Sequence, residues 1–238
     1  MTLDDLIELI VFRVPNLFFW TEKPYHPSTV DLSDDKEVNL SAIKSKHEYF
    51  ESTFSRIDLS ESVVQNSNFE DCNFDNCNFS GASFIKCKFN NCTFNHCNLN
   101  ITEITDSRLY EVDFNECKLS GIDWTKANWP SFNLDHELKF SKSILTNSSF
   151  MGLKLHGVIM DECKVVDVDF RECDLSKGVI SGCDLHGSLF NKTILHSANF
   201  TESWDYNINI LNNYVDKAKF SRTEAISLLE GLGIELED

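Results

Sequence analysis

The chain has 238 residues, a formal net charge of −17 and a 12% aromatic content that includes 19 Phe. This size and composition exclude a disordered chain and predict one or two domains with a substantial core. The acidity disfavours direct binding of nucleic acid, because phosphate binding needs clustered Lys and Arg. It permits a protein partner that itself binds DNA.

Residues 1–50 are expected to form a helix and a linker that cap the domain that follows. Apolar residues lie near helical spacing in Thr2–Val14, whereas the polar stretch Glu22–Asn39 predicts a loop. A helix that binds a partner or a membrane surface is the alternative, which its single basic residue, Arg13, disfavours. We find no signal peptide and no apolar run long enough to span a membrane, so we expect a cytoplasmic chain.

From Glu51 a large apolar residue recurs at every fifth position, a period that fits neither a helix nor a flat strand. The first series has seventeen members, from Phe54 to Leu134. The register then slips by one residue within 135–139, and a second series of thirteen runs from Phe140 to Phe200. The slip predicts a bulge or a slightly wider turn, and a partner-binding loop is the alternative.

The position two residues before each large apolar residue is usually small and is never charged. It holds all nine cysteines of the chain, so the repeat sets their spacing, and no C-x-x-C motif occurs. We therefore predict buried, reduced, structural thiols that bind no metal and form no disulfide framework. The histidines of the repeats fall at outward positions and are expected to be solvated.

Several five-residue units match a known motif. The units C-N-F-D-N at Cys72–Asn76, C-D-L-S-K at Cys173–Lys177 and A-N-F-T-E at Ala198–Glu202 resemble the repeat of the pentapeptide-repeat family. The resemblance covers residues 51–202 and implies an all-β solenoid, a right-handed quadrilateral β-helix with four repeats per turn. Residues twenty apart would then stack at about 4.8 Å, which implies an interior ladder of Phe54, Phe74, Phe94 and Phe114.

The repeat degrades in residues 203–238, where a different signal appears. Ser221 with Glu224 predicts a capping box before a short helix. The apolar side of that helix consists of Ala225, Ile226, Leu228, Leu229 and Leu232. The tail resembles the C-terminal segment of quinolone-resistance pentapeptide-repeat proteins, which caps the coil and joins two copies. The resemblance implies a homodimer through this helix, and a monomer sealed by its own helix is the alternative.

The sequence shows no catalytic motif, and a rod filled by Phe and Leu offers no cleft, so we predict a protein that is not an enzyme and needs no cofactor. The resemblance implies a DNA mimic that binds DNA gyrase or topoisomerase IV and protects it from gyrase poisons. Residues 51–202 hold 22 acidic and 13 basic residues, so the acidity is modest and spread out. A general interaction scaffold for an unrelated cytoplasmic or host partner is the alternative function.

Overall fold

The fold was analysed in a computed structural model that describes residues 29–30, 43–129, 138–230, 232 and 234. The chain is a β-solenoid of about eight turns, which confirms the fold class expected from the repeat. Within these residues, short helices occur as a 3-10 turn at Trp124–Lys126, a second at Glu224–Ile226 and α1 at Ser227–Glu230. The strands are β1 Thr29–Val30, β2 Glu48–Phe50, β3 Thr53–Ser55, β4 Val63–Gln65, β5 Asn68–Glu70, β6 Asn73–Asp75, β7 Ser83–Ile85, β8 Lys88–Asn95, β9 Arg108–Asn115, β10 Leu138–Ser141, β11 Ile159–Asp161, β12 Val179–Ser181, β13 Asn199–Phe200 and β14 Lys219–Phe220.

Consecutive turns stack as parallel strands with a register of twenty residues. Phe54 pairs with Phe74, Phe74 with Phe94, and Phe94 with Phe114. Their rings stack inside the coil, with centroids 5.1, 4.4 and 5.1 Å apart. The register thus turns a five-residue sequence period into continuous columns of aromatic contacts.

A left-handed backbone residue forms each regular corner, two positions after the buried residue. Asn76 and His96, for example, have φ of 54° and 53°. The N–H of Asn76 donates to the carbonyl of Asn95 in the next turn at 2.9 Å. Every regular corner therefore needs one residue that tolerates this conformation. Among the described residues, Asn, Asp and Gly supply 14 of the positive-φ positions and Glu and Lys supply 13.

Ile101 is an unusual residue type for one of these left-handed corner positions. Among the 25 described non-glycine residues with positive φ, it is the one β-branched residue, with φ of 52°. Its side chain is 63% exposed, so packing offsets little of a strain of about 1–2 kcal/mol. We expect Ile101→Asn to raise the free energy of unfolding by about 1 kcal/mol, since Asn tolerates this conformation.

Urea denaturation measures this change, and Asn147→Ile is the matched control. Asn147 occupies the same corner position on a later turn, with φ of 59°. Placing Ile there should lower the free energy of unfolding by a similar amount. A loss of stability in Ile101→Asn would show that Ile101 contributes more by packing than it costs by strain.

The cysteine position does more than fill space. The thiol of Cys77 donates to the carbonyl of Phe54 at 3.3 Å, and that of Cys97 to the carbonyl of Phe74 at 3.4 Å. Hydroxyls at equivalent positions do the same, as Thr102 does to the carbonyl of Phe79 at 2.8 Å. The position thus selects small side chains that donate a hydrogen bond to the preceding turn, and a thiol there acts as a donor as well as a small apolar group.

The register slip is larger than a one-residue bulge. Phe140, not Leu134, pairs above Phe114, and Leu138 pairs with Val112, so this turn spans 26 residues where others span 20. The interpretation as a single extra residue is therefore wrong, because the turn contains one complete extra repeat plus one residue. Phe132 and Leu134 lie outside the described residues, whereas Leu138 is buried in the core.

The coil begins earlier than residue 51. The ring of Tyr49, in β2, stacks on Phe69 with centroids 5.1 Å apart, and β1 pairs with β3 beneath the first turn. The predicted linker therefore contains a short strand. The predicted helix Thr2–Val14 lies outside the described residues.

The predicted capping box at the C-terminal end is wrong. Ser221 Oγ accepts from the N–H of Glu202 at 2.7 Å, and Glu224 Oε2 accepts from the N–H of Asp205 at 3.2 Å. The N-cap Thr223 makes no side-chain capping bond. Ser221 and Glu224 therefore satisfy backbone donors at the open end of the coil instead of capping their own helix.

Candidate protein-interaction surface

In the part of the coil that the structure describes, an interior void of about 20 Å³ is lined by apolar side chains such as Phe84, Phe94 and Trp124. This void is too small for a substrate. An open surface depression of about 420 Å³ includes Arg171, whose guanidinium Nε and Nη2 bind both carboxylate oxygens of Asp169 at 2.9 and 2.7 Å. That pairing lowers the pKa of Asp169, so both groups are occupied with each other.

Side chains of the usual metal ligands do not converge. Within the described residues, no three His, Cys, Asp or Glu side chains are grouped as they would be around an ion. Some histidines instead pair with carboxylates of the next turn, as His96 does with Glu116 at 3.5 Å and His186 with Asp205 at 2.7 Å. The hydrogen bond to Asp205 raises the pKa of His186. These are exposed surface pairs, and His136 lies outside the described part.

One edge of the coil carries a concentration of carboxylates, which we call the acidic edge. It consists of four stacked segments, 50–53, 70–73, 90–93 and 110–113. The first residue of each segment belongs to the paired strands β2, β5, β8 and β9, and the last residue belongs to the paired strands β3, β6, β8 and β9. The segments contain no Lys or Arg. Their acidic residues are Glu51, Glu70, Asp71, Glu111 and Asp113.

The acidic edge is ordered by hydrogen bonds along the stack. The N–H of Glu51 donates to the carbonyl of Glu70, and that of Asp71 to the carbonyl of Asn90, each at 3.0 Å. Asp113, at the far end, pairs with Lys139 at 3.7 Å. The edge therefore holds negative charge on three of its four segments, with none on 90–93, and it ends where the 26-residue turn begins.

Some acidic residues beyond that turn have basic partners. Glu162 pairs with Lys142 at 3.8 Å, and Glu172 pairs with Lys192 at 3.6 Å. The faces of the second half thus mix both signs. Sequence reasoning missed this asymmetry because it averaged the charge over all repeats, whereas writing the sequence in rows of twenty residues would have shown it.

Comparison with known proteins identifies the repeat. The model of the pentapeptide repeat region matches residues 67–136 and 134–200. The chain belongs to the pentapeptide-repeat family. The two matched segments of this pentapeptide-repeat protein overlap at residues 134–136, inside the 26-residue turn, where the stacking register changes.

Solved structures of the same repeat family resemble the chain at low identity. Full-length QnrB1, a plasmid-mediated fluoroquinolone resistance protein, is 20% identical over 79% of this chain and 99% of its own, with a TM-score of 0.38. A trypsin-treated QnrB1 variant is 19% identical over 82% and 93%, with a TM-score of 0.43. HetL, from the cyanobacterium Nostoc and involved in heterocyst differentiation regulation, is 17% identical over 74% and 83%, with a TM-score of 0.38. Curated protein sequences give no match.

The residues expected in the terminal helix divide between the core and solvent. Ala225 is half-buried against the core and Leu228 is buried, whereas Leu229 and Leu232 are 37% and 40% exposed. Leu232 lies beyond the end of α1. Further exposed apolar residues of this part of the chain are Trp204, Leu211, Tyr214, Ile226 and Ile234. The segment thus covers the last turn and leaves apolar surface outside it.

No helix in the described ranges is both long enough and apolar enough to cross a membrane.

Proposed function

We propose that this pentapeptide-repeat protein is a non-catalytic binding protein whose acidic edge stands in for a DNA strand on DNA gyrase or topoisomerase IV, and that it protects the enzyme from gyrase poisons. The spacing of negative charges along the acidic edge is the observation that supports this proposal. Four turns at about 4.8 Å each span roughly 19 Å, so the four carboxylates other than Asp113, which pairs with Lys139, give about one charge per 5 Å. One strand of duplex DNA carries one charge per 3.4 Å.

The net charge of residues 51–202 is modest, which by itself argues against a DNA mimic. The charge along the acidic edge is denser than this average, and it is the edge that would contact the enzyme. A surface that binds DNA presents Lys and Arg at the spacing of phosphates. Carboxylates held by the backbone of stacked strands complement such a surface without a large cost of ordering. The row of charge, not the net charge, is what a DNA-binding groove would recognise.

The terminal segment supports a symmetric assembly. Leu229 and Leu232 present apolar surface at the end of the coil, and we propose that a second copy covers it, giving a homodimer joined through the C-terminal helix. A dimer would extend the rod and present two acidic edges to one enzyme. The proposal places the protein in the cytoplasm, where bacterial gyrase acts on the chromosome.

A supercoiling assay with purified gyrase, with and without a fluoroquinolone, tests the proposal. The wild-type chain should form a complex with the enzyme and protect it from the drug. The variant Glu51→Gln, Glu70→Gln, Asp71→Asn, Glu111→Gln should bind at least tenfold more weakly, because several charge contacts are lost together.

The control removes four corner carboxylates from the second half, with Glu162→Gln, Asp167→Asn, Glu172→Gln and Glu202→Gln. The net charge changes equally, but binding should stay within about threefold of wild type. Equal losses in both variants would mean that net charge alone governs binding. If the wild-type chain forms no complex with gyrase, does not inhibit it and does not protect it from the drug, the topoisomerase hypothesis is wrong.

A general interaction scaffold is the second candidate function. The mixed charges of the second half and the apolar C-terminal end favour a protein surface over a DNA mimic there. An intact complex with gyrase would decide against this alternative.

A further inference from the structure

One turn of the core carries smaller side chains than the turn that precedes it. In the preceding turn, the ring of Phe84 lies between those of Phe79 and Phe89, with centroids 5.5 and 5.4 Å apart. The inward residues stacked above these three rings are Leu99, Ile104 and Leu109. Because Leu and Ile are smaller than Phe, this turn fills less of the core, and the void of about 20 Å³ lies here.

The atoms that line the void are apolar. Thr102, the one lining residue with a hydroxyl, donates it to the carbonyl of Phe79 at 2.8 Å, so its methyl group is the part that meets the void. The indole N–H of Trp124 has no hydrogen-bond partner in the described part of the chain, but it does not open into the void, because the lining atoms are apolar. A water molecule would find there none of the polar partners that a buried water needs, so the void should stay dry.

We propose that this void is a binding site for one small apolar molecule without hydrogen-bonding groups, such as xenon or dioxygen. A volume of about 10–15 Å³ holds one water molecule, so the void accepts a single particle somewhat larger than water. Cavities lined by Leu, Ile and Phe stay dry and take up such molecules. The bound molecule would restore dispersion contacts that the lining side chains lack around an empty void. The site is independent of the proposed function, because no residue of the acidic edge lines it.

Leu109 is the residue whose size can be changed to close or enlarge the void. It pairs with Phe89 on the neighbouring strand, and the ring of Phe89 stacks on that of Phe69 with centroids 4.9 Å apart. A ring at position 109 would continue this column and occupy the void. Leu109→Phe is therefore the blocking variant, and Leu109→Ala, which removes atoms from the lining, is the enlarging variant.

Xenon NMR on the full-length chain tests the proposal. With rising xenon pressure, the wild type should show a saturable change in the xenon chemical shift, as expected for one site, above the linear change caused by surface contacts. Leu109→Phe should lose the saturable part while its melting temperature stays equal or rises, because the ring enters space that is already present. Leu109→Ala should melt at a lower temperature, and benzene, a larger apolar probe, should raise that temperature by filling the enlarged void.

Leu175→Phe is the matched control, since Leu175 is fully buried in the second half of the coil and does not line the void. It should keep the saturable xenon signal and lower the melting temperature, because an extra ring has no room there. A wild type without a saturable signal would overturn the proposal, and so would a Leu109→Phe variant that keeps the signal. A Leu109→Phe variant that melts as early as Leu175→Phe would also overturn it, because position 109 would then face no free space.

Discussion

Phe94→Asp is expected to unfold the middle of the coil. Phe94 is 2% exposed and stacks between Phe74, at 4.4 Å, and Phe114, at 5.1 Å. Removal of such a ring costs about 3–5 kcal/mol by itself. A carboxylate in its place also loses its hydration without a partner inside the column. The sum approaches or exceeds the roughly 5–15 kcal/mol that stabilises an ordinary domain.

The solenoid architecture predicts where this damage appears. Each turn contacts only its neighbours, so the loss should be greatest in the turns that contain Phe74, Phe94 and Phe114, and the second half of the coil should keep more of its structure. Circular dichroism should show a large fall in the melting temperature. Hydrogen exchange should show fast exchange first in β6, β8 and β9.

Thr105→Asp is the control for charge alone. Thr105 lies on the outside of the same turn, one residue after the buried Ile104, and its carbonyl, which the substitution keeps, accepts from the N–H of Lys86 at 2.9 Å. Asn95 is a less suitable control, because its amide links Asn73 and Asn115. A melting temperature of Phe94→Asp within a few degrees of the control would contradict the interior column.

The buried columns could be predicted from the sequence because the residue pattern within each repeat is enough to determine which side chains are buried. A large apolar residue, a small donor two positions earlier and a corner residue two positions later recur without any long-range information. Stacking of identical units then places Phe74 on Phe54 by necessity. The Ile101 corner shows the limit of the rule, since one β-branched residue is tolerated when its neighbours hold the turn.

The position of the 26-residue turn could be predicted but its size could not, because a count in fives cannot distinguish an insertion of one residue from an insertion of six. Only the pairing of Phe140 with Phe114 shows that a whole extra repeat lies between the stacked strands. The prediction of a capping box was wrong for a related reason. Ser221 and Glu224 bond to a turn about twenty residues earlier, and a local motif contains no information about that turn.

The acidic edge also depends on the register. Glu51, Glu70, Asp71 and Glu111 are scattered through sixty residues of sequence, and Lys and Arg occur between them. They become neighbours only when rows of twenty are stacked and the corner that separates two faces is known. Surface chemistry in a solenoid is therefore a property of columns, which composition and average charge do not reveal.

The nine cysteine thiols are expected to resist labelling in the folded protein by a factor on the order of 10³ or more. All nine are free and buried. Burial raises the pKa of Cys87, and the hydrogen bond with Cys117 together with burial raises the pKa of Cys97 to about 12. Since the thiolate is the reactive form, the raised pKa values of Cys87 and Cys97 add to the protection that burial provides. Hydrogen bonds with Cys92 and Cys183 lower the pKa of Cys72 and Cys163, so these two thiols are protected by burial alone.

A thiol-reactive chromophore measures this protection, with Thr105→Cys as an outward-facing control. The control thiol should react at the rate of a free cysteine and faster at pH 9 than at pH 7, because its thiolate fraction rises. The nine native thiols should react only when a turn opens, and all together in denaturant. Native labelling of most of them at the denatured rate would mean that the donors seen against Phe54 and Phe74 do not hold the turns closed, and the account of the cysteine column would fail.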